Sequence, residues 1–168
     1  MAIRNHISKS PVVKKPVNII LMLCIAVLAI VSYNSIAAPV QFDNERQLRE
    51  KKIKKALIRI RTAELRWQKS HNGRFTDSFD SLRSTPTDSL ELIPYGGGRK
   101  FHLQIGTTQN KGQLVHLFEC SASIDDYMSD FDSDQTNEAK AKAADAGSFA
   151  GLKIGDLHNI SNNAGNWE

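Results

Sequence analysis

Several stretches of this chain hold residue types that could do chemistry. Asp130-x-Asp132-x-Asp134 opens like a calcium loop, with carboxylates spaced to surround one hard cation. Such a loop also needs a turn glycine at its sixth position and a bidentate Glu at its twelfth. Gln135 and Ala141 stand there, so the spacing predicts a solvated acidic loop or a helix cap. Tyr95-Gly96-Gly97-Gly98-Arg99-Lys100 suggests a phosphate cradle, but that device ends in Gly-Lys-Ser/Thr and opens a helix. Here Arg99-Lys100 opens a strand, which predicts a flexible inter-strand turn. His102 is expected opposite Glu119 on paired strands, a surface pair without the further ligands a metal needs. Cys24 lies in an apolar run and Cys120 in an expected strand, so two buried, inert thiols are expected rather than a disulfide. No Ser, His or acid sits in a nucleophile-elbow or HExxH context. These patterns argue against an enzyme, a cofactor, a metal site and a small-molecule substrate.

The elements around these residues begin with a membrane-type segment. From Pro16 to Phe42 there is no charge, and ten of the residues from Val17 to Val31 are Val, Ile or Leu. A span needs about 20 mostly apolar residues, and Val17 to Ala38 supplies 22. A transmembrane helix is therefore expected over 16–38, after a basic tail at 1–15. Ser35-Ile36-Ala37 also has the small residues of a signal-peptidase site, so cleavage is the competing outcome. The length of the run and of its basic lead favours a retained anchor, and both outcomes export the C-terminal part. Positive-inside counting ties, because Arg46, Arg49, Lys51 and Lys52 follow the span closely. The acid-free tail tips the expectation to a cytoplasmic N-terminus.

Charge is unevenly distributed. The formal net charge is +4, yet residues 43–74 hold 11 Lys/Arg against 4 Asp/Glu, and residues 75–168 hold 7 against 14. The one basic block lies beside the apolar run and the remainder is acidic, which argues against nucleic acid as a partner.

Pro39 is expected to break the helix leaving the apolar run, with a linker over 39–44. Asn44 and Gln47 fit a capping-box start for a second helix over 45–71. Ile53, Ala56, Leu57, Ile60, Ala63 and Trp67 recur at 3- and 4-residue spacing, one apolar stripe. Arg49, Lys51, Lys52, Lys54, Lys55, Arg59, Arg61 and Arg66 fall mostly on the other faces. The stripe faces either a domain core or a lipid surface, and the scarcity of other long apolar helices favours the core. Asn72-Gly73 ends the helix where left-handed geometry is needed.

Residues 75–168 are expected to form a small sheet and a C-terminal region. Thr76 caps a short helix carrying Phe79 and Leu82, and a loop follows over 84–89. Strands are expected over 90–94, 100–108 and 113–121, with Gln109 to Gly112 as a hairpin connector. An even loop pairs Phe101 with Cys120, Leu103 with Phe118 and Ile105 with His116, apolar on apolar. An Ala-rich helix over 135–146 and a strand over 152–154 complete the pattern. Phe75, Phe79, Phe101, Leu103 and Phe118 join Ile53, Leu57, Ile60 and Trp67 as core candidates. Lys51, Lys52, Lys54 and Lys55 form a basic juxtamembrane face.

An apolar N-terminal span, a helix reading Arg61-Thr62-Ala63-Glu64…Trp67, then Asn72-Gly73-x-Phe75, then an antiparallel sheet, resembles the type IV pilin and pseudopilin group. That resemblance implies an α+β fold in which the amphipathic helix packs on a small antiparallel sheet. Prepilins carry a Gly cleavage site before the apolar segment and a Glu just inside it. This chain has no glycine before Gly73 and no acid from Met1 to Phe42. The implied molecule is a pilin-like domain on a permanent anchor: a single-pass protein of the bacterial inner membrane, N-terminus cytoplasmic and domain periplasmic. Its expected function is that of a non-enzymatic structural component of a secretion or surface-filament assembly. Its expected partners are the membrane and other envelope proteins or itself. The competing readings are a periplasmic-face adaptor binding a peptide or polymer on its sheet, and a cytoplasm-facing tether holding anionic lipid through its basic helix.

Overall fold

The computed structural model describes residues 14–83, 99–160 and 163–168. The expected strand over 90–94, the 84–89 loop, the Tyr95–Gly98 turn and nearly all of the basic tail lie outside them. The chain divides into two units, Met1–Gln41 and Phe42–Glu168. One helix, α1 (Lys14–Ser70, 57 residues), contains the whole apolar run. An 18-residue window of it has a mean hydropathy of 2.4 and none of it is buried within the protein, so it is long and apolar enough to cross a membrane.

The expected break at Pro39 and the 39–44 linker do not occur, because Pro39 lies inside α1. Proline removes one helical donor at a cost of about 3 kcal/mol. Stopping would instead leave four carbonyls and then four N–H groups without partners, and would require a second nucleation. Continuing through one missing bond is the cheaper course. Asn44 is accordingly a mid-helix residue rather than a cap.

The helix does end where expected. Asn72 (φ 54°) and Gly73 (φ 79°) are left-handed, and the Gly73 N–H donates to the Gln68 carbonyl at 3.0 Å. The chain reverses and buries Phe75 before α2 (Phe79–Arg83), which drives Leu82 into the core. The Ser78 N–H donates to Thr76 Oγ1 and the Ser81 N–H to Ser78 Oγ, so Ser78 rather than Thr76 sits at the cap of α2.

The sheet is antiparallel in the order β1 (His102–Asn110), β2 (Gln113–Ser123), β3 (Gly151–Gly155). Between β1 and β2 stands a two-residue turn, Lys111 (φ 49°) and Gly112 (φ 81°), the double left-handed geometry that matches strand twist. The register is therefore two residues away from the expected one. Leu103 faces Cys120, Ile105 faces Phe118 and Thr107 faces His116. A two-residue slide leaves every side chain on its own face, so apolar matching cannot tell the two registers apart; turn geometry does.

His102 consequently lies opposite Ser121, not Glu119. Glu119 pairs with Lys153 Nζ at 3.0 Å.

Between β2 and β3 run α3 (Ile124–Tyr127) and α4 (Ser133–Asp145). Asp130, Asp132 and Asp134 are exposed, as a solvated acidic loop or helix cap requires, while Ile124, Tyr127 and Met128 before them are fully or almost fully buried. Asp132 is the N-cap of α4, its side chain accepting from the Asp134 N–H at 3.1 Å.

The core joins the α1 stripe (Ile53, Ala56, Leu57, Ile60, Ala63) to Phe75, Leu82, Phe101, Phe118, Cys120, Leu152 and Ile154. Burying one such large side chain contributes about 1.5–3 kcal/mol.

Candidate interaction surface

With Ile53, Leu57 and Ile60 committed to the core, the outward face of α1 is left to its cations. Lys51, Lys52 and Lys55 are exposed. Lys54 is half-buried because its Nζ stands 5.6 Å from the centre of the Trp167 ring, a cation–π distance. Trp167 is held there by its neighbours. The Asn166 N–H donates to the Lys153 carbonyl, Asn166 Nδ2 to the Gly151 carbonyl and the Gly155 N–H to the Ala164 carbonyl, each at 3.0 Å. Arg61 reaches the Asn163 carbonyl at 3.2 Å and the Glu168 carboxylate at 3.3 Å.

Between α1 and Trp167 lies an open groove of about 450 Å³ lined by Gln47, Glu50, Lys51, Lys54, Lys55 and Ile58, with the Glu50 carboxylate already accepting from Arg46 Nε and the Tyr127 hydroxyl. Lysines around an aromatic ring and one aliphatic side chain suit an anionic partner with some apolar surface. They offer point charges rather than the forked geometry that reads a carboxylate or phosphate bidentately.

Three charged side chains are buried among the described residues. Arg49, expected on the outer face, is 6 % exposed. It donates to both Asp130 carboxylate oxygens and to the Tyr127 carbonyl, and its guanidinium lies 5.1 Å from the Phe131 ring centre. The hydrogen bond with Asp130 raises the Arg49 pKa and holds the Asp130 carboxyl below the ordinary range. The first acid of the calcium-like run is thus tied to α1, and the second caps α4. Among the described residues, no three His, Cys, Asp or Glu converge to hold a metal ion.

Asp126 is 1 % exposed. Its Oδ2 accepts from the Ser123 N–H at 2.8 Å and from Ser123 Oγ at 2.7 Å. Arg99 and His102 stand 3.9 Å from its two oxygens, beyond hydrogen-bond range.

Glu64 is fully buried. Its Oε2 accepts one bond from the Thr76 N–H at 3.2 Å, while Oε1 has no partner among the described residues. Burial pushes its pKa up to about 7; the Thr76 bond opposes the shift and nearby Asp77 adds to it. The Cys120 thiol is raised as well, by burial first and by the charges of Glu64 and Glu119 after it.

Of the core candidates, Ile53, Leu57, Ile60, Phe75, Phe101 and Phe118 are buried, with the Phe75 and Phe118 rings 4.8 Å apart. Phe79 and Leu103 are only partly buried against that cluster. Trp67 is also partly buried, at the rim, its ring stacked 3.5 Å from that of exposed His71. Compared with protein-family models, with curated proteins and with solved structures, the chain matches none.

Sequence reasoning missed Trp167 as a groove wall, Arg49 and Glu64 as buried groups, and Tyr127 as core. Arg49 left a readable trace, since it falls four residues before Ile53 on the stripe. For Trp167 no local signal exists, because its partner Lys54 is more than a hundred residues away.

Proposed function

We propose that this chain is a membrane-anchored, non-enzymatic component of a bacterial envelope assembly, with a pilin-like domain outside the cytoplasm. The observation that carries the reading is α1 itself. One unbroken helix supplies an apolar stretch able to cross a membrane and then, from Ile53 to Ala63, one wall of an α+β core. An apolar span followed by an amphipathic helix packed on a small antiparallel sheet is the order on which the pilin resemblance rests. The missing prepilin glycine and glutamate favour a permanent anchor. The basic outward face of α1 is then the surface on which other assembly members dock. A lipid-lying α1 is disfavoured, because the stripe it would bury in headgroups is already in the core.

Alkaline phosphatase fused after Glu168 tests the topology, since that reporter folds only in an oxidising compartment. Active fusion in the carbonate-resistant membrane fraction is expected. Inactive fusion together with an active cytoplasmic reporter at the same point would overturn it. Crosslinking in those membranes should capture at least one protein partner.

A further inference from the structure

Two helical faces of this molecule share one spacing and carry opposite charge. On α1, Gln47, Lys51, Lys54 and Ile58 fall at i, i+4, i+7 and i+11 and line the groove beside Trp167 together with Lys55 and with Glu50, whose charge is paired with Arg46. On α4, Asp134, Glu138, Ala141 and Asp145 fall at the same four offsets, and all are exposed. At 3.6 residues per turn and 1.5 Å per residue, each set covers an arc of about 60° and a length of about 16 Å. We propose that the groove between α1 and Trp167 receives α4 of a second copy of this chain.

The inference rests on the assembly reading above and names the partner. The charge blocks are complementary, with an excess of seven cations over 43–74 and of seven acids over 75–168. Opposite potentials of this kind set partner choice and register. Ala141, at the middle of the α4 face, is small enough to let two helices approach to about 8–10 Å. Glu138 already pairs with Lys142 at 2.8 Å, but both side chains are largely exposed. A solvent-screened pair of that kind contributes little and exchanges readily for a groove lysine.

Groove and α4 are different surfaces, so each copy gives one and receives the other. Such a contact builds chains or rings rather than a two-fold dimer.

The test is a charge swap in the full chain, crosslinked in native membranes. One tagged copy carries Lys51→Glu and Lys55→Glu; the other carries Asp134→Lys, Glu138→Lys and Asp145→Lys. Wild type should give a ladder of self-crosslinked species, and each variant alone should lose it. Co-expression should restore the ladder, because acidic groove meets basic α4 in one pairing and basic groove meets acidic α4 in the other. Ala141→Trp, which blocks the close approach without changing charge, should abolish the ladder with helical circular dichroism retained.

A ladder unchanged in either charge variant overturns the proposal, and so does a mixture that fails to restore it. Crosslinks only to a different protein overturn it while leaving the assembly reading standing; no crosslinks at all overturn both. An intact ladder in Lys51→Glu/Lys55→Glu, with binding to phosphatidylglycerol vesicles lost, would assign the groove to lipid instead.

Discussion

Glu64→Gln should stabilise this protein at alkaline pH and leave it nearly unchanged at acid pH. Glu64 is fully buried with a single hydrogen bond to the Thr76 N–H, and its pKa is raised from 4.5 to about 7. In the unfolded chain the carboxyl ionises near its ordinary value. Between pH 4.5 and 7 the native state therefore holds a proton that the unfolded state has released, and stability falls as pH rises. At about 1.4 kcal/mol for each pH unit of separation, the folded protein carries a penalty on the order of 3 kcal/mol above pH 7, and none below pH 4.

Glutamine is neutral at every pH, and its carbonyl can keep the Thr76 bond. The variant should be more stable than wild type by up to about 3 kcal/mol at pH 8, with the difference shrinking to near zero at pH 4. Urea melts of the full chain in detergent, read by tryptophan fluorescence at several pH values, measure it. The difference between variant and wild type cancels the other titrating groups. A difference that does not change between pH 4 and pH 8 would refute the reasoning, as would a variant less stable than wild type at pH 8.

Two further comparisons follow from other parts of the fold. Arg49→Ala should destabilise by about 1–3 kcal/mol, because it strips the Tyr127 carbonyl and Asp130 of a charged donor. Arg59→Ala, at an exposed position of the same helix, should stay within about 0.5 kcal/mol; equal denaturation midpoints for the two variants would contradict the buried role. Gly155→Ala should cost far more than Gly73→Ala although both glycines are left-handed (φ 76° and 79°). A Cβ at Gly155 would collide with the Phe118 carbonyl oxygen, whereas one at Gly73 meets nothing within 4 Å. The Gly73 variant should thus lose only the left-handed penalty, about 1–2 kcal/mol, and thermal melts of the two compare them directly.

Whatever depends on periodicity along one segment was legible in the residues themselves. The apolar run, the Ile53/Leu57/Ile60 stripe, the left-handed stop at Asn72-Gly73 and the alternation of β1 are all local patterns, and 3.6- or 2-residue periods report which face is buried. Two errors came from energetic balances that a local reading cannot weigh. At Pro39 one lost hydrogen bond competes with the ends of two helices, and the continuous helix wins. In the hairpin, registers two residues apart bury the same faces, and the backbone angles of Lys111 and Gly112 decide between them.

The groups that distinguish this molecule lie beyond any local pattern. Arg49 is buried only because Tyr127 and Asp130 close over it from 78 and 81 residues away. Glu64 loses its water only when the chain folds back after α1 and brings the Thr76 N–H onto it, and Trp167 becomes a groove wall only after the tail docks on β3. The sequence by itself determined the apolar helix, the faces of the helix and strands, and the charge blocks, because each follows from neighbours a few bonds away. The tertiary structure decided which charges are desolvated and which stay in water. Desolvation depends on what the fold brings over a residue, and chains distant in sequence supply that cover.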